Sequence, residues 1–68
     1  MPDVPIRDSL IRLGQFLKLA DLVDAGSDVK GLLAEGSVRV NGEVETRRGR
    51  QLVRADEVTV GGVTYRVT

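Results

Sequence analysis

The chain has 68 residues, ten of them basic and ten acidic, for a formal net charge of zero. That length leaves room for one domain, buries only about 60% of the unfolded surface, and makes a multi-step enzyme cleft unexpected. Cysteine and histidine are absent, which excludes disulfides, thiolate or imidazole metal sites, and histidine acid-base catalysis.

No apolar run approaches the roughly 18 residues of a membrane span, and the opening MPDVPIRDSL lacks the basic and apolar regions of a signal peptide. A soluble cytoplasmic chain is expected. Charge is sorted along it: residues 1–35 carry six acids against four bases, whereas residues 39–54 carry five arginines against Glu43 and Glu45. Balanced totals argue against indiscriminate binding of polyanions, so the distribution matters more than the sum.

In chain order, Val4 and Ile6, with Leu10 or Ile11, supply a short first strand that Pro2 and Pro5 confine to an edge. LIRLGQFLKLADLV then places Leu10, Leu13, Phe16, Leu17 and Ala20 at helical spacing, with Arg12, Gln15 and Lys18 facing away. Gly14 costs about 1 kcal/mol in a helix interior, which moves the expected start toward Leu13. A second helix is predicted over residues 25–35. Asp24 is its expected N-cap, Ser27 and Asp28 lie in its first turn, Ala25, Val29, Leu32 and Leu33 form its apolar stripe, and Gly36 closes it.

The remainder reads as strands. A Gly61-Gly62 turn sets Val60 opposite Val63, Val58 opposite Tyr65 and Glu57 opposite Arg66, so apolar meets apolar. The same two-residue loop at Asn41-Gly42 would set Val40 against Glu43 and Arg39 against Val44, mixing the faces. A three-residue loop or a bulge, pairing Val40 with Val44 and Arg39 with Glu45, is therefore the expected register. It puts Arg39, Glu45 and Arg47 on the solvent side, with Arg48 and Arg50 in the loop around Gly49.

Three families of function are disfavoured by particular residues. Gly61-Gly62 is not a nucleotide-binding glycine loop, because VTYRV after it is a strand and not a helix. Asp56 and Glu57 are adjacent and point to opposite faces of a strand, so they are no carboxylate pair, and no Ser or Thr has a base at a known spacing. Phe16 and Tyr65 are the two aromatics, both on apolar stripes, which leaves no platform for stacking single-stranded bases. A non-enzyme without metal, cofactor or small-molecule substrate is expected.

LGQFLKLADLV, DAGSDVKGLLAEG, VRVNG, ETRRGR and QLVRADEVTV, in that order, resemble the small stand-alone bacterial members of the S-four RNA-binding domain family, also called the alpha-L motif. The resemblance spans about residues 11–60. It implies an α+β fold, two packed helices against a small, twisted, mainly antiparallel sheet. It further implies binding of structured RNA, ribosomal or transfer, in a basic groove formed by the second helix and the first hairpin. Carried over by position, the contacts are Lys30, Arg39, Asn41, Arg47, Arg48 and Arg50, with Arg12, Lys18 and Ser27 as candidates to extend the surface. Larger members place basic side chains in the first turn of the second helix, where this chain has Gly26, Ser27 and Asp28.

Two readings of the arginines stay open. Guanidiniums on a short loop grip phosphates bidentately; alternatively they are a solvated turn partnered by Glu43 and Glu45. Asn41-Gly42 has a sufficient explanation as a turn, and Gly31 fits either close packing of the helices or close approach of a backbone. The rival function is a protein-interaction module using the same surface. A monomer is expected, with dimerisation through the edge at residues 4–6 left open.

Overall fold

The structure, a computed structural model, describes residues 1–68. In chain order it comprises β1 (Asp3–Val4), β2 (Leu10–Arg12), α1 (Leu13–Leu19), α2 (Gly26–Ala34), β3 (Val38–Val40), β4 (Glu43–Val44), β5 (Gln51–Val53), β6 (Glu57–Val60) and β7 (Val63–Val67). Five strands form one sheet in the order β1-β7-β6-β3-β4, and β2 and β5 form a separate antiparallel pair. Within the larger sheet only β1 runs parallel to its neighbour. This is the α+β, mainly antiparallel architecture expected from the sequence.

Helix α1 begins at Leu13 because the residues before it are claimed by a strand. Leu10, Ile11 and Arg12 pair with Val53, Leu52 and Gln51, so Leu10 is not part of the helical stripe and Arg12 sits at the helix entry in extended conformation. Leu13, Phe16 and Leu17 are buried. Helix α2 is flanked at its start by Ala25 and not by Asp24, and no side chain caps it. Its buried face is Val29 and Leu33, with Leu32 half-buried and Ala25 exposed. Gly36, at φ +73°, ends it by donating its N–H to the Leu33 carbonyl. Only glycine takes that left-handed conformation without steric cost.

Both helices pack with β3, β6, β7 and Leu52 of β5 into one cluster of buried apolar side chains. Phe16 is fully buried among them, and truncating such a side chain typically costs about 3–5 kcal/mol. Helix and loop approach each other closely at Gly14. A Cβ there would lie 3.5 Å from both the Arg48 carbonyl oxygen and Val29 Cγ1. Gly31, by contrast, is exposed with open space where its Cβ would be, so it serves no packing between the helices.

The two hairpins divide sharply. The β6-β7 register is the expected one, with Val58 opposite Tyr65, Val60 opposite Val63 and Glu57 opposite Arg66; Gly61 and Gly62 both have positive φ, as a turn of this type requires. The β3-β4 register corrects the expectation: Arg39 pairs with Val44 and Val40 with Glu43. Asn41 (φ +51°) and Gly42 (φ +88°) make an ordinary two-residue turn. The parity argument fails because β4 is a two-residue edge strand whose members are both exposed, leaving it no buried face to respect. The consequence falls one residue later. Glu45 donates its N–H to the Val38 carbonyl at 2.9 Å, and side-chain alternation turns its carboxylate toward the side of Val38 and Val40. Glu45 is buried, at 8% exposure, and not on the solvent face.

Candidate functional site

Residues 46–50, between β4 and β5, form a loop fixed from two directions. On one side the Leu13 N–H donates to the Arg50 carbonyl at 2.8 Å and the Gly14 N–H to the Arg48 carbonyl at 2.9 Å. These are amides of the first turn of α1, which have no partner within the helix. On the other side Glu45 accepts through Oε2 from the backbone N–H groups of Thr46 (3.1 Å) and Arg47 (3.0 Å) and from Arg47 Nε (3.0 Å). Glu45 Oε1 accepts from Arg47 Nη2 at 3.1 Å and lies 3.6 Å from Arg50 Nε. The side-chain bonds from Arg47, then its backbone N–H, then the nearby guanidinium charges outweigh burial and lower the Glu45 pKa from its ordinary 4.5 to about 2. The same pairing raises that of Arg47.

These restraints sort the five arginines of residues 39–54. Arg47 and Arg50 face Glu45. Arg39 Nη1 donates to the Gly42 carbonyl at 3.2 Å, and Arg54 donates to the carbonyls of Thr68 (2.9 Å) and Ile6 (3.0 Å). Arg48 alone among them has no side-chain partner within the chain and is exposed. It stands at a cleft of about 260 Å³ lined by Arg12, Gly14, Gln15, Lys18, Gly26, Val29, Arg48 and Gly49. Three cations converge there with no carboxylate in the wall. Neither Arg12 nor Lys18 forms an ion pair.

The expected contact residues are thus divided between two places. Arg48 joins Arg12 and Lys18 at the α1-α2-loop cleft, whereas Asn41, Arg47 and Arg50 line a second depression of about 300 Å³ together with Glu43 and Glu45. Lys30 and Arg39 line neither depression. Lys30 is exposed on α2, four residues after Gly26 and so on the helical face that borders the cleft; Ser27 follows Gly26 directly. Asn41 has internal partners. Its Nδ2 donates to Asp56 Oδ1 (3.2 Å) and its Oδ1 accepts from the Glu57 N–H (3.0 Å), tying the hairpin turn to the start of β6.

Sequence reasoning missed two things here. Gln15 lines the cleft, and it was legible as the middle member of Arg12, Gln15 and Lys18, spaced three apart. By sequence Glu45 is a surface partner of the arginines; its spacing of two and five residues from Arg47 and Arg50 is the available signal, but its burial depends on the hairpin register.

Comparison with known proteins agrees with this architecture. The sequence model of the S4 domain matches residues 4–68. The chain is 46% identical over 59 residues to the probable ribosome maturation protein RlbA of Bacillus subtilis, covering 87% of this chain and 83% of that protein. It is 35% identical over 57 residues to the putative RNA-binding protein YbcJ of Escherichia coli, covering 84% and 81%. The solution structure of YbcJ, described as revealing an alfaL motif involved in RNA binding, matches with a TM-score of 0.74 at 30% identity, over all of this chain and 87% of that one. With both helices, the sheet and the loop accounted for, the chain belongs to the S4 domain family.

Proposed function

We propose that this protein binds structured RNA without catalysing a reaction, and that phosphates of the RNA seat in the cleft of Arg12, Lys18 and Arg48. The observation that carries the reading is the convergence of three cations on a carboxylate-free cleft in a chain of zero net charge. Such a cleft attracts a phosphate locally without making the whole molecule adhesive. Gly26 and Gly49 in the wall, with open space where a side chain would stand, leave room for a sugar-phosphate backbone to approach closely.

Ser27 and Lys30 extend the track along α2. Arg39, Arg47 and Arg50, together with Asn41 at the hairpin turn, form a flanking surface on which Glu45 offsets part of the charge. Neither aromatic side chain is fully exposed: Phe16 is buried and Tyr65 is packed against the core. Recognition therefore runs through phosphate and ribose and reads shape more than sequence. Ribosomal RNA is the first candidate, since one relative is named as a ribosome maturation protein; transfer RNA is the second.

No helix is long and apolar enough to cross a membrane, and a cytoplasmic monomer acting on RNA there fits the reading. Crosslinking in cells followed by sequencing of the bound RNA tests it. Enrichment of one structured RNA, lost when Arg12, Lys18 and Arg48 are replaced by alanine, is the expected result. Recovery of a protein partner with no RNA would overturn it in favour of a protein-docking module.

A further inference from the structure

Glu45 is the one charged side chain that the fold buries, and it lies beside the surface to which RNA binding has been assigned. An acid placed there would, as a mere charge, oppose polyanion binding. Its contacts suggest a different role. Glu45 holds two consecutive backbone amides, those of Thr46 and Arg47, and the side chains of Arg47 and Arg50. The carbonyls of Arg48 and Arg50 are meanwhile held by the first turn of α1. Arg48 is therefore clamped from its N-terminal side by the carboxylate and from its own carbonyl by the helix.

We propose that Glu45 is the positioning residue of the cleft: it locks the loop so that Arg48 is held in the wall that it shares with Arg12 and Lys18, with Arg47 and Arg50 serving as the scaffold that holds Glu45 there. This rests on the RNA-binding reading and deepens it by assigning different work to neighbouring arginines. Arg47, 75% exposed in its side chain but bidentate to Glu45, belongs to the frame. Pre-ordering the loop before RNA arrives lowers the ordering cost of binding.

The sign of one substitution separates positioning from simple charge. Glu45→Gln removes a negative charge from a basic surface, keeps the size, and keeps an acceptor for one side of the contact set. If Glu45 were only a counter-charge, the variant would bind RNA more tightly. Positioning predicts weaker binding to deproteinised bulk ribosomal RNA, by about three- to tenfold, at a temperature where circular dichroism shows both proteins folded. Arg47→Lys, which retains charge but cannot make the bidentate contact, is expected to weaken binding by about threefold as well. Arg48→Ala should cost less in the Glu45→Gln background than in the wild type, because a mispositioned Arg48 has less to lose.

Amide hydrogen exchange on the free protein supplies the arm that does not depend on RNA. In Glu45→Gln the amides of Gly14, Thr46 and Arg47 should exchange about tenfold faster, with those of Val58 and Val67 unchanged. Tighter or unchanged RNA binding, or exchange that rises equally in the sheet and the loop, would overturn the proposal. Wild-type protein that binds neither ribosomal nor transfer RNA would sink the RNA reading, and with it the functional half of the proposal; the exchange pattern would still report whether Glu45 orders the loop.

Discussion

Arg47 and Arg48 are neighbours in the chain with identical side chains, yet the fold gives them opposite electrostatic lives. Arg47 turns back to Glu45 and joins a compact network of backbone amides, carboxylate and Arg50. Arg48 turns outward to a cleft whose other cations come from an extended residue and a helix 36 and 30 positions earlier. Charge counted along a sequence therefore overstates the charge available to a ligand. What decides availability is whether the fold has already provided a carboxylate or carbonyl.

The largest expected effect comes from emptying the cleft. Replacing Arg12, Lys18 and Arg48 together by alanine should weaken binding to structured RNA by about 100- to 500-fold near 0.1 M salt, as the loss of three phosphate contacts implies; filter binding at fixed salt measures it. All three side chains are exposed, so thermal stability should change little. Equal losses from an Arg39, Arg47 and Arg50 triple variant would erase the distinction between the two sides of the loop.

The loop's seat on α1 can be disturbed from beneath. Gly14→Val would drive branched carbons toward the Arg48 carbonyl and Val29, and should destabilise the protein by about 1–3 kcal/mol in denaturant titration. Gly31→Ala, in open space on the other helix, should stabilise it by about 0.5–1 kcal/mol. Opposite signs from two helix glycines would mark the first as a packing surface and the second as a free one.

Asn41→Ala removes the bonds to Asp56 and to the Glu57 amide and should cost about 1–2 kcal/mol in stability. The salt dependence of RNA binding should not change, since this side chain is engaged within the fold. Glu45 also carries a pH effect. Its folded pKa of about 2 lies below the ordinary 4.5, so its ionised contacts contribute fully above about 4.5 and are lost as pH falls toward 2. The stability difference between wild type and Glu45→Gln should be constant from pH 5 to 8 and shrink below pH 4.5. A difference that grew with acidification would contradict the assigned contacts.

How much of this the sequence carries depends on which interactions are local. The β6-β7 register was legible because Gly61-Gly62 fixes the turn and every apolar residue meets another. The β3-β4 register was not, because parity presumes two half-buried strands and β4 lies exposed at the sheet edge. Asp24 looked like a cap by residue type, but the chain enters α2 through Ala25. At the site, the basic character of residues 39–54 and the outward row of Arg12, Gln15 and Lys18 were both readable. Their meeting was not, since it is made by the Leu13 and Gly14 amides reaching loop carbonyls more than thirty residues away. The burial of Glu45, and with it the division of the arginines, follows from the observed β3-β4 register, which the local pattern does not encode.

The most direct measurement is the slope of log affinity against log salt for the wild type and two triple variants, bound to the same structured RNA. Alanines at Arg12, Lys18 and Arg48 should flatten the slope by about 2 to 2.7, and alanines at Arg39, Arg47 and Arg50 by less than about 1. An unchanged slope in the first variant, or a larger change in the second, would contradict the assignment of phosphate binding to the cleft.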